Sequence, residues 1–193
     1  FLIIMSTQSP QFAILIHYSE IGLKKNNRGY FERQFIQNIS KHLKNLKYKK
    51  IHLVSARVLV ENVDPSDWNL FKERLNNVMG LSSAILMMET KNDLSEMKVA
   101  IDFLIAEKTF DSFRVTTKRH YKEFAKTSIE VNVELGAYIQ DKTKKKVKLS
   151  NADLNIIIEI LKDKTYVGYN RVIGFSGLPS GSQEKAISLL SSG

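Results

Sequence analysis

Cysteine is absent from this chain of 193 residues. Without a thiol, the chain cannot supply a disulfide bond, a thiolate ligand for a metal or a cysteine nucleophile. Disulfide frameworks are typical of secreted proteins, whereas proteins without them are common in the reducing cytoplasm. We therefore expect a cytoplasmic protein.

Long apolar segments are also missing. The first residues, FLIIM, are apolar, but five residues are too few for a signal peptide or for a membrane span of about 20 residues. No other run approaches that length, so we expect no membrane partner.

Side chains that commonly perform catalysis or bind metals do not form a recognisable set. The four histidines lie at positions 17, 42, 52 and 120, without the spacing of metal ligands. His17 ends an apolar run and is expected to be a structural histidine. No paired carboxylates and no Ser-His-Asp arrangement can be assembled. The sequence therefore predicts neither a metal site nor a catalytic residue in this chain.

Positive charge, in contrast, is abundant. The chain has 29 lysine and arginine residues against 20 aspartate and glutamate residues, a formal net charge of +9. Five of the seven residues from 142 to 148 are lysine, so the charge is clustered rather than scattered. Lysine and arginine side chains that contact phosphates release condensed counterions. The sequence therefore predicts a polyanionic partner such as a nucleic acid.

The first half of the chain shows the pattern of a small α+β unit. Apolar or alternating runs predict strands at residues 12–17, 51–62 and 81–88, the second as one or two strands with a turn near Ser55. Apolar residues at three- and four-residue steps predict helices at residues 26–46 and after Asp64-Pro65. This order of elements is typical of a ferredoxin-like fold.

A second unit begins near residue 90. It has a predicted helix after Asp93, a strand at residues 110–117, a second helix at residues 127–140 and a short strand from residue 147. Residues 154–161 and 166–172 predict a β-hairpin. For the second helix, Thr127 or Ser128 followed by Glu130 predicts a capping box. The residues expected to form its buried face are Ile129, Val133, Leu135, Gly136, Ala137 and Ile139.

Cations flank this second helix at both ends. The entrance cluster, before the helix, consists of Arg114, Lys118, Arg119, His120, Lys122 and Lys126, and the exit cluster, after it, of Lys142, Lys144, Lys145, Lys146 and Lys148. Mixed arginine and lysine suit contacts to a phosphate backbone more than base reading. Tyr121 is equally suited to stacking on an unpaired base or to core packing, whereas core packing is favoured for Phe124. Lys24, Lys25 and Arg28 are further candidates for RNA contact, although loop lysines are often simply solvated.

Several motifs in the two units resemble a known family. FRV at residues 113–115, then Lys118-Arg119, LGA at residues 135–137 and VKLSNAD at residues 147–153 resemble the THUMP domain, an RNA-binding module of tRNA-modifying enzymes. SEIGLK at residues 19–24 and GFSGLPSGSQ at residues 174–183 are similar to signatures of the tRNA 4-thiouridine synthetases, or tRNA sulfurtransferases. Ala152 departs from that family, which usually has proline there.

The resemblance implies an α+β fold: a ferredoxin-like domain at residues 1–88, an α/β THUMP RNA-binding domain at 89–175, and a linker with the start of an ATP-pyrophosphatase (PP-loop) domain at 176–193. It also implies that the two cation clusters receive the acceptor stem and CCA end of tRNA. The family's ATP loop would begin with Leu189, Leu190, Ser191, Ser192 and Gly193, and its remaining residues are not in this sequence. We therefore expect this part of the protein neither to bind ATP nor to be active alone.

For the parent protein, the resemblance implies that ATP adenylates a uridine O4, which persulfide sulfur then replaces to give 4-thiouridine. It further implies a homodimer, a cysteine desulfurase as sulfur donor and, in some members, sulfur supply for thiamine synthesis.

Two alternatives stay open at this point. THUMP domains also precede methyltransferases and pseudouridine synthases, although SEIGLK and the final SSG favour the sulfurtransferase. The chain is alternatively a structural dimerisation module whose positive charge is incidental. Sedimentation with and without tRNA separates these hypotheses, because a dimer indifferent to tRNA would support the structural module.

Overall fold

The structure, a computed structural model, describes residues 9–184. Its strands are β1 (Phe12–Tyr18), β2 (Lys50–Val54), β3 (Arg57–Glu61), β4 (Leu81–Thr90), β5 (Ser112–Arg119), β6 (Lys146–Val147), β7 (Leu154–Ile160) and β8 (Thr165–Ile173). Its α-helices are α1 (Arg28–His42), α2 (Trp68–Leu75), α3 (Leu94–Ile105) and α4 (Ser128–Thr143). Within this range, no helix is both long and apolar enough to cross a bilayer.

The first unit, from β1 to β4, has the ferredoxin-like order of elements, with the run at residues 51–62 divided into the hairpin β2–β3. Ser55 and Ala56 form the turn of that hairpin, both with positive φ. β1 lies between β3 and β4 and pairs antiparallel with both. Helices α1 and α2 cover one face of these strands, where Phe35 and Phe71 are completely buried. The predicted ferredoxin-like fold is confirmed.

The second unit, from α3 to β8, continues the same sheet. β7 and β8 form the predicted hairpin, and β5 pairs parallel with β6 and β7. β8 also pairs antiparallel with β4, so a single eight-stranded sheet has the order β2-β3-β1-β4-β8-β7-β5-β6. Leu104 of α3 packs against the apolar cores of both units, so the helices of both units lie on one face of the sheet.

Helix α4 buries only part of the predicted apolar stripe: Leu135, Gly136 and Ile139 are buried as predicted. Val131, Leu135 and Ile139, at successive steps of four residues, are completely buried. Ile129 and Val133 are instead 74% and 67% exposed. Residues two positions apart on a helix point about 200° apart, because each residue turns the chain by about 100°. The predicted apolar stripe therefore combined two opposite faces of α4, and only one of them packs on the sheet.

The opposite face of the sheet carries a third core, formed entirely by residues on or next to strands. This strand-only core consists of Ala13, Leu15, Leu59, Ile85, Met87, Ile157, Leu161 and Tyr166. Neighbouring strands lie about 4.8 Å apart, so β1 and β7, three strands apart, would be separated by about 14 Å in a flat sheet. His17 Nε2 of β1 nevertheless lies 3.1 Å from Glu159 Oε1 of β7. The sheet is therefore coiled towards this face, and the two side chains span the remaining separation.

Gly168 of β8 lies at the irregular step where the register between β4 and β8 shifts. A Cβ atom at this position would lie 2.3 Å from the backbone carbonyl oxygen of Leu86, far inside van der Waals contact. We expect Gly168→Ala to lower the free energy of unfolding by about 1–3 kcal/mol, because the strands that join the two units must separate. Urea denaturation measures the change.

Gly136→Ala in α4 is the matched control for that substitution. A Cβ atom at Gly136 would find nothing within 4 Å outside the helix's own backbone. Alanine also favours a helix over glycine by about 0.5–1 kcal/mol, so this variant should be as stable as the parent or more stable. Equal losses in both variants would contradict the steric argument.

Candidate nucleic-acid interface

The entrance cluster does not form a single patch, because the side chains of β5 alternate between the two faces of the sheet. Lys118 lies on the face of the strand-only core, where its Nζ is 3.5 Å from Glu159 Oε1. Arg119 points to the other face, towards the loop that leads into α4. Arg114 donates a hydrogen bond to the carbonyl oxygen of Leu149, 3.1 Å away, in the segment that follows β6. The structure thus divides residues that are adjacent in the sequence.

Arg119 supports the backbone of the loop at residues 120–127. Its Nη1 donates to the carbonyl oxygens of Lys122, Phe124 and Lys126 at 3.3, 3.0 and 3.3 Å. Phe124 packs against the core of the second unit, as favoured from the sequence. Arg119 therefore has a local role in shaping the loop that carries Lys122 and Lys126, and its direct contact with phosphate stays a prediction.

The N-terminus of α4 has the predicted capping box. The Thr127 hydroxyl accepts from the backbone N–H of Glu130, and the Glu130 carboxylate accepts from the backbone N–H of Thr127. This pair satisfies two helix N–H groups that would otherwise lack acceptors. Lys126, just before the cap, lies 2.8 Å from Glu134, and this hydrogen bond raises the pKa of Lys126. Lys122 is exposed and has no acidic partner within residues 9–184.

Tyr121 and His120 lie at the start of the same loop. Tyr121 donates its hydroxyl proton to Glu123, 2.7 Å away, and this hydrogen bond raises the pKa of Tyr121. Its ring is partly exposed, so a base can reach it. His120 Nε2 lies 2.7 Å from Oε2 of the completely buried Glu159. His120 is therefore held by an internal carboxylate.

The exit cluster also divides into paired and unpaired lysines. Lys142 pairs with Asp102, Lys144 with Asp141 and Lys145 with Asp111. Lys146 and Lys148 are exposed, and in the described part of the chain no carboxylate oxygen lies within ion-pair distance (about 4 Å) of either ammonium group. These two lysines therefore carry the positive charge of this cluster that remains uncompensated.

Asp153 holds the segment that follows the exit cluster against the start of β5. Its carboxylate accepts from the hydroxyl and backbone N–H of Ser112, at 2.9 and 2.8 Å, and from the N–H of Asp111 at 3.2 Å. The Ser112 hydroxyl and these N–H groups lower the pKa of Asp153, since they stabilise its charged form. The VKLSNAD motif thus ties the residues after β6 to the start of β5.

The RNA-contact candidates of the first unit, Lys24, Lys25 and Arg28, differ in the contacts that they make with neighbouring side chains. Arg28 donates to the Glu32 carboxylate and to the Tyr18 hydroxyl, both at 2.8 Å. Burial, followed by the hydrogen bond to Glu32, raises the pKa of Tyr18 to about 12. Lys24 Nζ lies 5.2 Å from the centre of the Phe31 ring, a cation–π distance. Lys25 is exposed with a positive φ.

Several of these cations share a residue, Glu159, that was not among those predicted from the sequence. Glu159 has no exposed side-chain area and is contacted by side chains from both units. The available signal was a single acidic residue inside the apolar strand LNIIIEI. A charge in such a strand needs buried partners. The residues proposed for the ATP loop, 189–193, lie outside the described residues.

Two family models match this chain, and both agree with the observed units. The ThiI ferredoxin-like domain matches residues 13–84, and the THUMP domain matches residues 91–170.

Curated relatives match nearly the whole of this chain within a longer protein. A probable tRNA sulfurtransferase of Listeria innocua is 31% identical over 186 residues, which cover 93% of this chain and 45% of the relative. A probable tRNA sulfurtransferase of Anoxybacillus flavithermus is 32% identical over 183 residues, covering 93% of this chain and 46% of the relative. The chain thus spans less than half the length of these relatives.

Solved structures share the fold. PH1313 from Pyrococcus horikoshii is 30% identical with a TM-score of 0.79, over 88% of this chain and 57% of that one. A 4-thiouridine synthetase in complex with RNA and ATP is 27% identical with a TM-score of 0.70, over 90% of this chain and 44% of that one. TrmN from Thermus thermophilus, 12% identical with a TM-score of 0.57, shares the fold alone. The chain therefore belongs to the tRNA sulfurtransferase family, of which it carries the ThiI ferredoxin-like and THUMP domains.

Proposed function

We propose that this chain is the tRNA-binding part of a tRNA uracil 4-sulfurtransferase and holds the acceptor stem and CCA end of tRNA. The single observation that carries the proposal is the set of exposed, uncompensated lysines at both ends of α4: Lys122, Lys146 and Lys148. Cations without an internal partner can contact phosphate without first breaking an ion pair, and each such contact releases counterions condensed on the RNA. The 4-thiouridine synthetase solved with RNA, a structural neighbour over 90% of this chain, supports the same assignment.

Different residues serve different parts of this binding. The lysines contact the phosphate backbone without reading sequence, which suits a protein that recognises a structural end common to tRNAs. Tyr121 offers a partly exposed ring for stacking on an unpaired base of the CCA end. Lys24 and Lys25 extend the basic track to the first unit and along the acceptor stem.

The chemistry belongs to the whole protein in this proposal. In the whole protein, ATP would adenylate the uridine O4 with release of pyrophosphate, and the terminal sulfur of a persulfide, supplied by a cysteine desulfurase, would then displace AMP. A second thiol of that protein would attack the resulting disulfide link, so that a protein disulfide forms and 4-thiouridine is released. We propose a homodimer for that protein. The residues described in this structure orient the tRNA for these steps and perform none of them.

Binding of the chain to tRNA across a salt series tests this function, with intact tRNA compared to tRNA that lacks its CCA end. We expect tighter binding to intact tRNA by about fivefold or more, because stacking is worth about 1–3 kcal/mol per base. Equal, weak and steeply salt-dependent binding to both RNAs would mean that the charge is generic. A dimer that sediments identically with and without tRNA would contradict RNA binding altogether.

A further inference from the structure

Glu159 is a completely buried carboxylate with four cationic or basic neighbours. Its Oε1 lies 3.1 Å from His17 Nε2 and 3.5 Å from Lys118 Nζ. Its Oε2 lies 2.7 Å from His120 Nε2 and 3.1 Å from Arg57 Nε. The histidine contacts are hydrogen bonds, whereas those to Lys118 and Arg57 are ion pairs by distance. Glu159 is thus the shared counterion of the group.

These neighbours come from both units of the protein. His17 on β1 and Arg57 at the start of β3 belong to the first unit, whereas Lys118 and His120 belong to the second. The hydroxyl oxygen of Ser83, on β4, lies 3.3 Å from His17 Nδ1 and is the third contribution of the first unit to this group. The group therefore joins the two units at the edge of the strand-only core, on the face opposite the helices.

Glu159 stays ionised in this environment. Burial works to raise its pKa, but the hydrogen bonds from His120 and His17 and the charges of His17 and Arg57 hold the pKa far below its ordinary value. Burial also lowers the pKa of His17, and its hydrogen bond to Glu159 opposes that shift. The negative charge at the junction is therefore permanent, and it attracts Lys118 and Arg57.

The same junction anchors the loop that carries the RNA-contact candidates. Next to Glu159 on β7, the carbonyl oxygen of Ile160 accepts from the backbone N–H groups of His120 and Tyr121, at 2.9 and 3.3 Å. The loop with Lys122 begins directly after these two residues. Any shift of the Glu159 network therefore moves the start of that loop relative to the first unit.

We propose that Glu159 is a positioning residue for tRNA binding, which holds Lys118 and His120 of the second unit against His17 and Arg57 of the first. Both units then present their cations to one RNA. This inference rests on the proposed tRNA binding and identifies what aligns the two halves of that surface.

The direction in which RNA affinity changes when Glu159 loses its charge distinguishes a positioning role from a purely electrostatic one. A negative charge beside a cationic surface repels a polyanion, so removing it should strengthen RNA binding if charge alone mattered. A positioning role predicts the opposite result, because Lys118 and the following loop lose their fixed place.

Glu159→Gln in the full chain provides the test, since glutamine keeps the size and much of the hydrogen bonding but removes the charge. We expect tRNA binding to weaken about eightfold or more at about 0.1 M salt, with a salt slope smaller by about 0.9, the values for one lost phosphate contact. Glu123→Gln removes an exposed charge from the same loop and should bind tRNA as tightly as the parent or more tightly. Undiminished binding by Glu159→Gln would overturn the positioning role.

A second pair of variants covers the case in which Glu159→Gln does not fold. His17 is only 14% exposed and lies in the first unit, so it offers little surface to RNA. His17→Leu breaks the bond to Glu159 and should weaken tRNA binding, whereas His17→Gln can keep that bond and should restore most of the affinity. Equal affinities of these two variants would count against the inference. A parent chain that does not bind tRNA would overturn the proposed function itself.

Discussion

Replacing Lys122, Lys146 and Lys148 together with glutamine should weaken tRNA binding about 500-fold at about 0.1 M salt and reduce the salt slope by about 2.7. These three lysines are exposed and have no acidic partner within residues 9–184, so each can neutralise a phosphate without first breaking an internal ion pair. Each lost phosphate contact lowers the slope by about 0.9, which sets the expected total. Fluorescence anisotropy of labelled tRNA from about 50 to 200 mM salt measures both quantities.

The matched control removes the same charge from another part of the surface. Lys41, Lys44 and Lys47, at and after the end of α1, are also exposed and lack acidic partners in the described range. Their triple replacement by glutamine should change the affinity for tRNA only slightly, since they lie outside the proposed surface. If both triple variants lost affinity equally, the basic charge would act generically and the clusters flanking α4 would have no special role.

Replacing Glu159 with leucine should lower the free energy of unfolding by about 3–5 kcal/mol, the usual cost of removing one partner from a buried ion pair. Leucine fits the volume but leaves Arg57 and Lys118 without their counterion and His17 and His120 without their acceptor. Arg57 is only 12% exposed, so water can compensate little of that loss. Urea denaturation without RNA measures the change in stability.

Glu134→Leu is the control for this second substitution. Glu134 also has two cationic partners, Lys98 at 3.2 Å and Lys126 at 2.8 Å, but its side chain is 34% exposed. Exposed ion pairs contribute about 0–1 kcal/mol, so this variant should lose little stability. A similar loss from both glutamate variants would mean that burial of Glu159 does not set its importance.

Local patterns in the sequence predicted local structure well. The capping box of Thr127 and Glu130, the hairpin of β7 and β8, and the helices α1 and α2 all follow from residue type and spacing over short distances. Backbone N–H groups at a helix start need acceptors wherever the helix packs, so such signals depend little on the rest of the chain.

The sequence patterns predicted less well which way a side chain points from its helix or strand. The apolar residues of α4 lie on two faces, and only contact with β5 decides that Leu135 is buried while Val133 is exposed. In the same way, the alternation of β5 separates Lys118 from Arg119, although they are neighbours in the sequence. Glu159 gave a weak signal as the acidic residue of an apolar strand, but nothing in the sequence identified its partners.

Residue identity and short spacing were enough to predict the family, the order of helices and strands, and a strongly basic character that indicates a polyanionic partner. Which cations lack an ion-pair partner, and which residue joins the two units, depend on how the folded chain packs. Coiling of the shared sheet brings His17 within 3.1 Å of Glu159, although they are 142 residues apart in the chain. Side chains so far apart in the sequence meet only because the whole sheet packs in one way, and short-range spacing in the sequence does not specify that packing.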